Sequence, residues 1–454
     1  MLAFALLTTL QFHYDVSEFV NAVYHVSCLT GRIACSSSVY GRFWNESMQS
    51  TREDGADFDK WSEIFSRAEN AAGGAASAPL LPNYLSFFPA LRVRQSLIDA
   101  ALRGGSPDGF RTLAEPIVGV ADAAAVAEVT RHVTARLHPW FVENAPSTER
   151  RLKELEARVR GNGSAEIMGR VAKFVKAKFP GNDVWVHLLP SPAPKQTEAT
   201  GTALRNHSFI ELTESMTPEV AAPIVVHELT HSLCDSASQS DHLKLISQFT
   251  ASQHPAAQAL YGLLNEALAT SVQLRLYEQG SVDDKDVYRH PYIPRAGRAT
   301  LPLLKEAMER RTTIQKGFVK RYVAAVEKEI GSEIDAPRFQ LLVACVMTSD
   351  SNKPAREAFF QAFRVLGACS TEKELEQYPG TPAVRLLRYD EQEATTTVPE
   401  FEKLRSHRAF VYRQPNKRSS YVLAGRDTNA IIQAVEELAK KVDAPAQGLL
   451  LAIE

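Results

Sequence analysis

The sequence predicts an α+β protein, predominantly helical, with a small sheet ahead of a central helix and a compact ββαβ unit at its C-terminal end. Three observations carry that expectation. Long stretches of the first third, and again from 218 to 330, repeat their apolar residues at helical spacing. Around 183–188, Val184, Val186 and Leu188 alternate with Asp183, Trp185 and His187, the period of a half-buried strand. The last sixth then changes character: "AFVYR" and "SYVLAG" read as strands, "TNAIIQAVEELAKKV" as an amphipathic helix, and "GLLLAI" as a closing strand.

Bulk composition narrows the function classes. The chain has 454 residues, 44% hydrophobic and 23% charged, an ordinary globular composition in a chain longer than one domain, so two or three packed units are expected. A formal net charge of -2, with 51 Lys and Arg scattered along the chain, gives no polyanion-binding surface, and nucleic acid is not an expected partner. No apolar run approaches the roughly 18 residues of a spanning helix. Of the five cysteines, Cys28 and Cys35 are close enough to bridge in an oxidising compartment, while Cys234, Cys345 and Cys369 read as buried free thiols. The opening "MLAFALLTTLQFHYD" has two readings, a signal-like apolar segment or a buried first strand. It lacks a leading basic residue and a clear cleavage site, which favours a cytoplasmic protein over an exported one. Oligomeric state is not legible at this level.

Taken in order, residues 1–164 form a mostly helical region. Within it "SRAENAAGGAASAPLLPN" (66–83) is a loop, and helices are expected over 123–145 and 149–161. The core is expected over 165–335. Its strands are the 183–188 run and a second β-leaning run in "GTALRNHSFIEL". A helix then starts with Thr217 as N-cap, Pro218 at the first helical position and Glu219 in the first turn. Further helices are expected over 241–252, 256–279 and 299–330, then a helical segment over 336–400 and the ββαβ unit over 401–454. No internal repeat is present.

The predicted helix from Pro218 carries "HELTH", His227 to His231. In a chain with 12 histidines such a string arises by accident with a probability on the order of a few per cent, so its context has to support it. At about 3.6 residues per turn, His227 and His231 project from one face and reach a single Zn²⁺ at about 2.0 to 2.1 Å. Glu228 lies on the flank, placed to take a proton from a zinc-activated water and pass it to a leaving group. Catalytic zinc needs a third protein ligand. The extended H-E-x-x-H-x-x-G-x-x-H pattern is absent, but "YGLLNEALATSVQLRLYEQ" places Glu266 among Leu263, Leu264, Ala267, Leu268 and Ala269, where an unpaired carboxylate would be costly.

With "HELTH" on one helix and "NEALAT" on a later one, residues 180–300 resemble the gluzincins, the thermolysin-like superfamily of zinc peptidases. The interval from His231 to Glu266 exceeds that of thermolysin itself, and no Gly-x-Met-Glu-Asn string occurs, so the resemblance stops at the superfamily. It implies a zincin-like core, one Zn²⁺ per chain held by His227, His231 and Glu266, Glu228 as general base, and a peptide or protein substrate held along the edge of the small sheet. An oxyanion donor from a downstream loop is also expected. "VYRHPYIPRAGRAT" offers Tyr292 or His290, with Tyr288 beside them and Arg295 or Arg298 for a substrate carboxylate or for packing. Asp235, Asn265 and Thr270 are candidates to orient the ligands. The other histidines, His187 and His207 among them, read as surface or satisfied core positions. The rival reading is a zinc-containing module that binds peptides or regulates without turnover.

Overall fold

The structure is a computed structural model that describes residues 10–33, 35, 37–72, 89–177, 182–195, 200–252, 254–277, 290–369, 375, 381–414, 420–442 and 447–454. It is α+β and predominantly helical. The chain enters through strand β1 (Gln11–Asp15), the buried-strand reading of the opening segment; residues 1–9 lie outside the described residues. Helices α1 (Glu18–Leu29), α2 (Ser37–Arg42), α3 (Arg52–Ala71), α4 (Pro89–Gly104), α5 (Pro107–Val118), α6 (Val120–Gly161) and α7 (Ser164–Val175) follow. The two helices expected over 123–145 and 149–161 are one 42-residue helix, α6, with Pro139 and Pro146 inside it. Each proline removes one backbone donor, but the buried stripe of Val126, Val133, Leu137, Leu155 and Val159 runs through both and keeps the axis committed to the core.

Strands β2 (Asp183–Pro190), β3 (Thr200–Leu204) and β4 (His207–Leu212) join β1 in a sheet ordered β1-β2-β4-β3. β1, β2 and β4 are parallel, and β3 is an antiparallel edge strand. The period of two assigns the faces. Val184, Val186, Leu188, Ile210 and Leu212 enter the central hydrophobic core, whereas Leu189, Leu204 and Phe209 belong to the core of the N-terminal helices. His187 and His207 are buried, their rings sharing a 2.9 Å hydrogen bond, with Asp15 3.3 Å from His187 and Asp99 3.4 Å from His207.

Against the first face lies α8 (Pro218–Asp235), which starts at Thr217 and Pro218 as the sequence signals, followed by α9 (Gln239–Ala251), α10 (Ala257–Leu276), α11 (Tyr292–Glu309) and α12 (Phe318–Ile330). The single helix expected over 299–330 is therefore two, separated by a turn in which Arg311 and Gly317 take positive φ of 53° and 73°. α10 and α11 approach closely because Gly297 has no side chain; a Cβ there would lie 2.4 Å from Thr270 Cγ2.

The remainder departs most from expectation. α13 (Pro337–Gln340) leads into β5 (Val343–Thr348), α14 (Lys353–Phe363), β6 (Gly367–Cys369), β7 (Ala383–Arg388), α15 (Gln392–Thr397) and α16 (Phe401–Leu404). The expected ββαβ unit is present as β8 (Ala409–Arg413), β9 (Ser420–Gly425), α17 (Thr428–Ala439) and β10 (Gly448–Ile453). It is half of a six-stranded sheet, β10-β8-β9-β7-β5-β6, whose other strands come from the 336–400 segment expected to be helical. Those strands pair in parallel and are buried on both faces, so "LLVACVM" reads as an unbroken apolar run without the alternation that marks a strand. Ala344 and Val346 face the packing of α14 and α17, while Cys345 and Met347 join the central hydrophobic core.

Cys28 and Cys35 form a disulfide, Cys345 is also disulfide-bonded rather than the free thiol expected, and Cys234 is free and buried. Spacing alone could not reveal the state of Cys345, because its register neighbour Cys369 is brought beside it only by the pairing of β5 with β6. The side chain of Cys369 lies outside the described residues. Among the described residues no helix is long and apolar enough to cross a membrane.

Candidate metal centre

α8 and α10 pack side by side, so a helix placed by the sheet faces one placed by the helical layer behind it. Across that contact His227 and His231 meet Glu266. The Nε2 atoms of the two histidines are 3.0 Å apart, His227 Nε2 is 3.3 Å from Glu266 Oε2, and His231 Nε2 is 3.7 Å from Glu266 Oε1. The imidazole planes stand at 82°. This is the one group of three or more His, Cys, Asp or Glu side chains that could hold a metal among the described residues.

The donor set fits a zinc-sized cation. Bonds of about 2.0 to 2.1 Å in a tetrahedron put ligand atoms roughly 3.3 Å apart, close to the separations found. His227 Nδ1 lies 3.2 Å from Gln273 Oε1. An amide oxygen only accepts, so Nδ1 is the nitrogen that donates to Gln273, and Nε2 is the one turned toward His231 and Glu266. Burial by itself would raise the Glu266 carboxyl, but His231 and His227 outweigh it and hold the group down at about 2, ionised as a ligand must be.

Glu228 is on the flank of the pair, against the edge strand. A Cβ on Gly201 of β3 would lie 2.8 Å from Glu228 Cγ and 3.0 Å from its Oε1, so the glycine makes room for the carboxylate to lie along the strand. Burial pushes this carboxyl up, with His231 opposing and Glu266 adding, to about 7. That is the range in which one group both accepts and returns a proton near neutrality.

The downstream candidates separate. His290 is buried beside the centre; burial first, then Arg338 and Arg364, lower it to about 4, while the Phe363 carbonyl and Glu266 act in the opposite sense. Its ring is therefore neutral, with Nδ1 accepting from the Tyr292 backbone N–H at 3.3 Å and Nε2 enclosed without a partner among the described residues. Tyr292 turns the other way. Its ring packs 5.0 Å from Phe339, and its hydroxyl, raised to about 12 by burial and then by Glu333, faces that carboxylate rather than the metal ligands. Arg295 donates to Glu333 and to the Glu329 and Ile330 carbonyls, Arg298 is exposed, and Tyr288 lies outside the described residues.

Of the three orienting candidates, Asp235 is enclosed near His231, with burial raising it to about 6 against the pull of that imidazole. Thr270 instead packs on Gly297, and Asn265 Oδ1 finds no partner among the described residues. The residue that touches a ligand's second nitrogen is Gln273, which the sequence reading passed over. Its signal was available: seven residues after Glu266, it lies two turns along the same face of α10. Compared with known proteins, the chain matches no family model, no curated protein and no solved structure.

Proposed function

We infer that the protein is a zinc-dependent peptidase of gluzincin type. The observation that carries this reading is the convergence of His227, His231 and Glu266 from two helices, with Glu228 held between them and a sheet edge that is unpaired among the described residues. Zinc, when bound, supplies Lewis acidity that lowers the pKa of a water toward about 7 and polarises a carbonyl. The chain supplies the rest. Glu228 takes the proton of the attacking water and returns it to the leaving amine, and its raised pKa suits both steps. Neutral His290, with its enclosed Nε2, is the better placed of the two oxyanion candidates, because the Tyr292 hydroxyl is committed elsewhere. β3 offers backbone groups along its free edge to an extended peptide.

The test is elemental analysis of wild type and Glu266→Ala, followed by a peptide-library assay with Glu228→Gln as control. The expected result is stoichiometric zinc that falls sharply in Glu266→Ala, and cleavage abolished by Glu228→Gln with zinc retained. Full zinc in Glu266→Ala, or cleavage unaffected by Glu228→Gln, would overturn the reading.

A further inference from the structure

Another pair of histidines meets on the opposite face of the first sheet from α8. By the period of two, His13 and Asp15 of β1, Trp185 and His187 of β2, and His207, Phe209 and Glu211 of β4 share the face that packs on the N-terminal helices. His187 Nε2 and His207 Nδ1 are 2.9 Å apart, and both rings are buried. Each outer nitrogen looks at a carboxylate: Asp15 Oδ2 lies 3.3 Å from His187 Nδ1, and Asp99 Oδ1 of α4 lies 3.4 Å from His207 Nε2. The line Asp15–His187–His207–Asp99 therefore crosses three layers, from the partly exposed end of β1 through β2 and β4 to a buried carboxylate on a helix.

The titratable groups around this line have their own partners. His13 meets Asp183 at 2.8 Å, Arg103 and Arg205 each reach Asp99 Oδ2 at 3.1 Å, and Glu18 of α1 meets His138 of α6 at 2.9 Å. The Glu211 carboxylate accepts from the Tyr24 hydroxyl of α1 at 2.8 Å.

Counting hydrogens shows what the pair can hold. Two neutral imidazoles carry two. One occupies the inner contact, where the facing nitrogen must offer a lone pair, so a single hydrogen is left for two outer nitrogens and two carboxylates. One added proton supplies both outer contacts and keeps the inner bond. A second added proton puts N–H on both sides of the inner contact with no acceptor between them, and two cationic rings then face each other in a buried site.

We propose that His187 and His207 form a proton-operated clasp: their mutual hydrogen bond closes the seam between the sheet and α4, and protonation of both rings parts them, each leaving with its own carboxylate. Burial pulls the His207 imidazole down to about 4, against Asp99 and with His187, so the second proton arrives only in acid. Burial would raise Asp99, but His207, Arg205 and Arg103 outweigh it and keep the carboxyl below its ordinary range. β4 also pairs with β3, whose Gly201 lies against Glu228, so the clasp sits one strand away from the candidate base. The inference does not depend on the peptidase reading.

Hydrogen–deuterium exchange read by mass spectrometry tests it on the full chain, from about pH 7.5 to about pH 4.5 and corrected for the intrinsic rate at each pH. Exchange in peptides covering 93–104 and 207–212 is expected to rise at least about tenfold in acid while peptides from α11 stay unchanged. His207→Gln keeps a donor and an acceptor but cannot become charged. It should retain protection at neutral pH and lose the acid response, and His187→Gln should do the same. Exchange that rises everywhere together, no rise in 93–104 or 207–212, or a local rise that survives in both glutamine variants overturns the proposal. The wild-type profile alone decides the first two outcomes, and either glutamine variant serves if the other fails to fold.

Discussion

His227 meets Gln273 through Nδ1, and that one contact leaves Nε2 as the nitrogen facing His231 and Glu266. Losing the amide frees the ring to rotate and to change tautomer, so Gln273→Ala should weaken zinc affinity roughly 10- to 100-fold, measured by competition against a chromophoric chelator. Gln273→Glu restores an acceptor and should recover most of the affinity. Gly201 acts on the base rather than on the ligands. Gly201→Ala forces Glu228 off the strand, and a displacement near 1 Å is worth roughly 100-fold in rate. Zinc content should stay at the wild-type level while peptide hydrolysis falls; a parallel loss of both would mean that the strand, not the base, had moved. At this scale the grouping of His227, His231 and Glu266 was legible because helical spacing and the cost of an unpaired buried carboxylate single them out. Gln273 was passed over although it lies two turns from Glu266, since a glutamine on a helix reads as a surface residue until a partner helix is placed against it.

α10 and α11 are held together by an absent side chain. Gly297→Ala pushes a methyl into Thr270 and disturbs the Ser271 hydroxyl's bond to the Gly297 carbonyl at 2.9 Å. The cost should be about 1 to 3 kcal/mol, seen as a lower urea midpoint with an unchanged slope. Elements with one buried stripe or a clean alternation, such as α8, β2 and the ββαβ unit, were readable from spacing. The strands of 336–400 were not, because residues buried on both faces lose the period that names a strand. The division of α6 into 123–145 and 149–161 did not hold, because burial on either side of Pro146 continues one helix across it.

The whole molecule is one set of interlocking cores rather than a row of separable domains. Leu342, Cys345 and Met347 pack with α8, α10 and α11, so a fragment ending at 335 leaves that core open and should not fold, as read by near-ultraviolet circular dichroism. Stability should also fall in acid. His25 and His207 are buried, and burial lowers them to about 3 and about 4, below the unfolded value of about 6.5. Each is neutral when folded; Trp44 Nε1 donates to His25 Nδ1 at 3.3 Å. Because the folded pKa is depressed, their contribution is complete above pH 6.5 and declines as pH drops toward 4, by roughly 1.4 kcal/mol per pH unit for each group. Denaturation midpoints at pH 7 and pH 5 check this, with His25→Phe expected to remove part of the slope.

What the sequence determined by itself was local: two histidines one helical turn apart with a glutamate beside the first, a glutamate stranded among apolar neighbours, the starts and periods of the helices that bear them. These are short-range facts, set by backbone geometry and by the cost of burying a charge. Only the tertiary structure decided that Gln273 meets His227, that Tyr292 faces Glu333 while His290 is buried near enough to Glu266 to feel its charge, and that 336–400 completes a sheet. Each depends on which surfaces of distant elements meet, and packing between elements leaves no periodic mark in either partner alone.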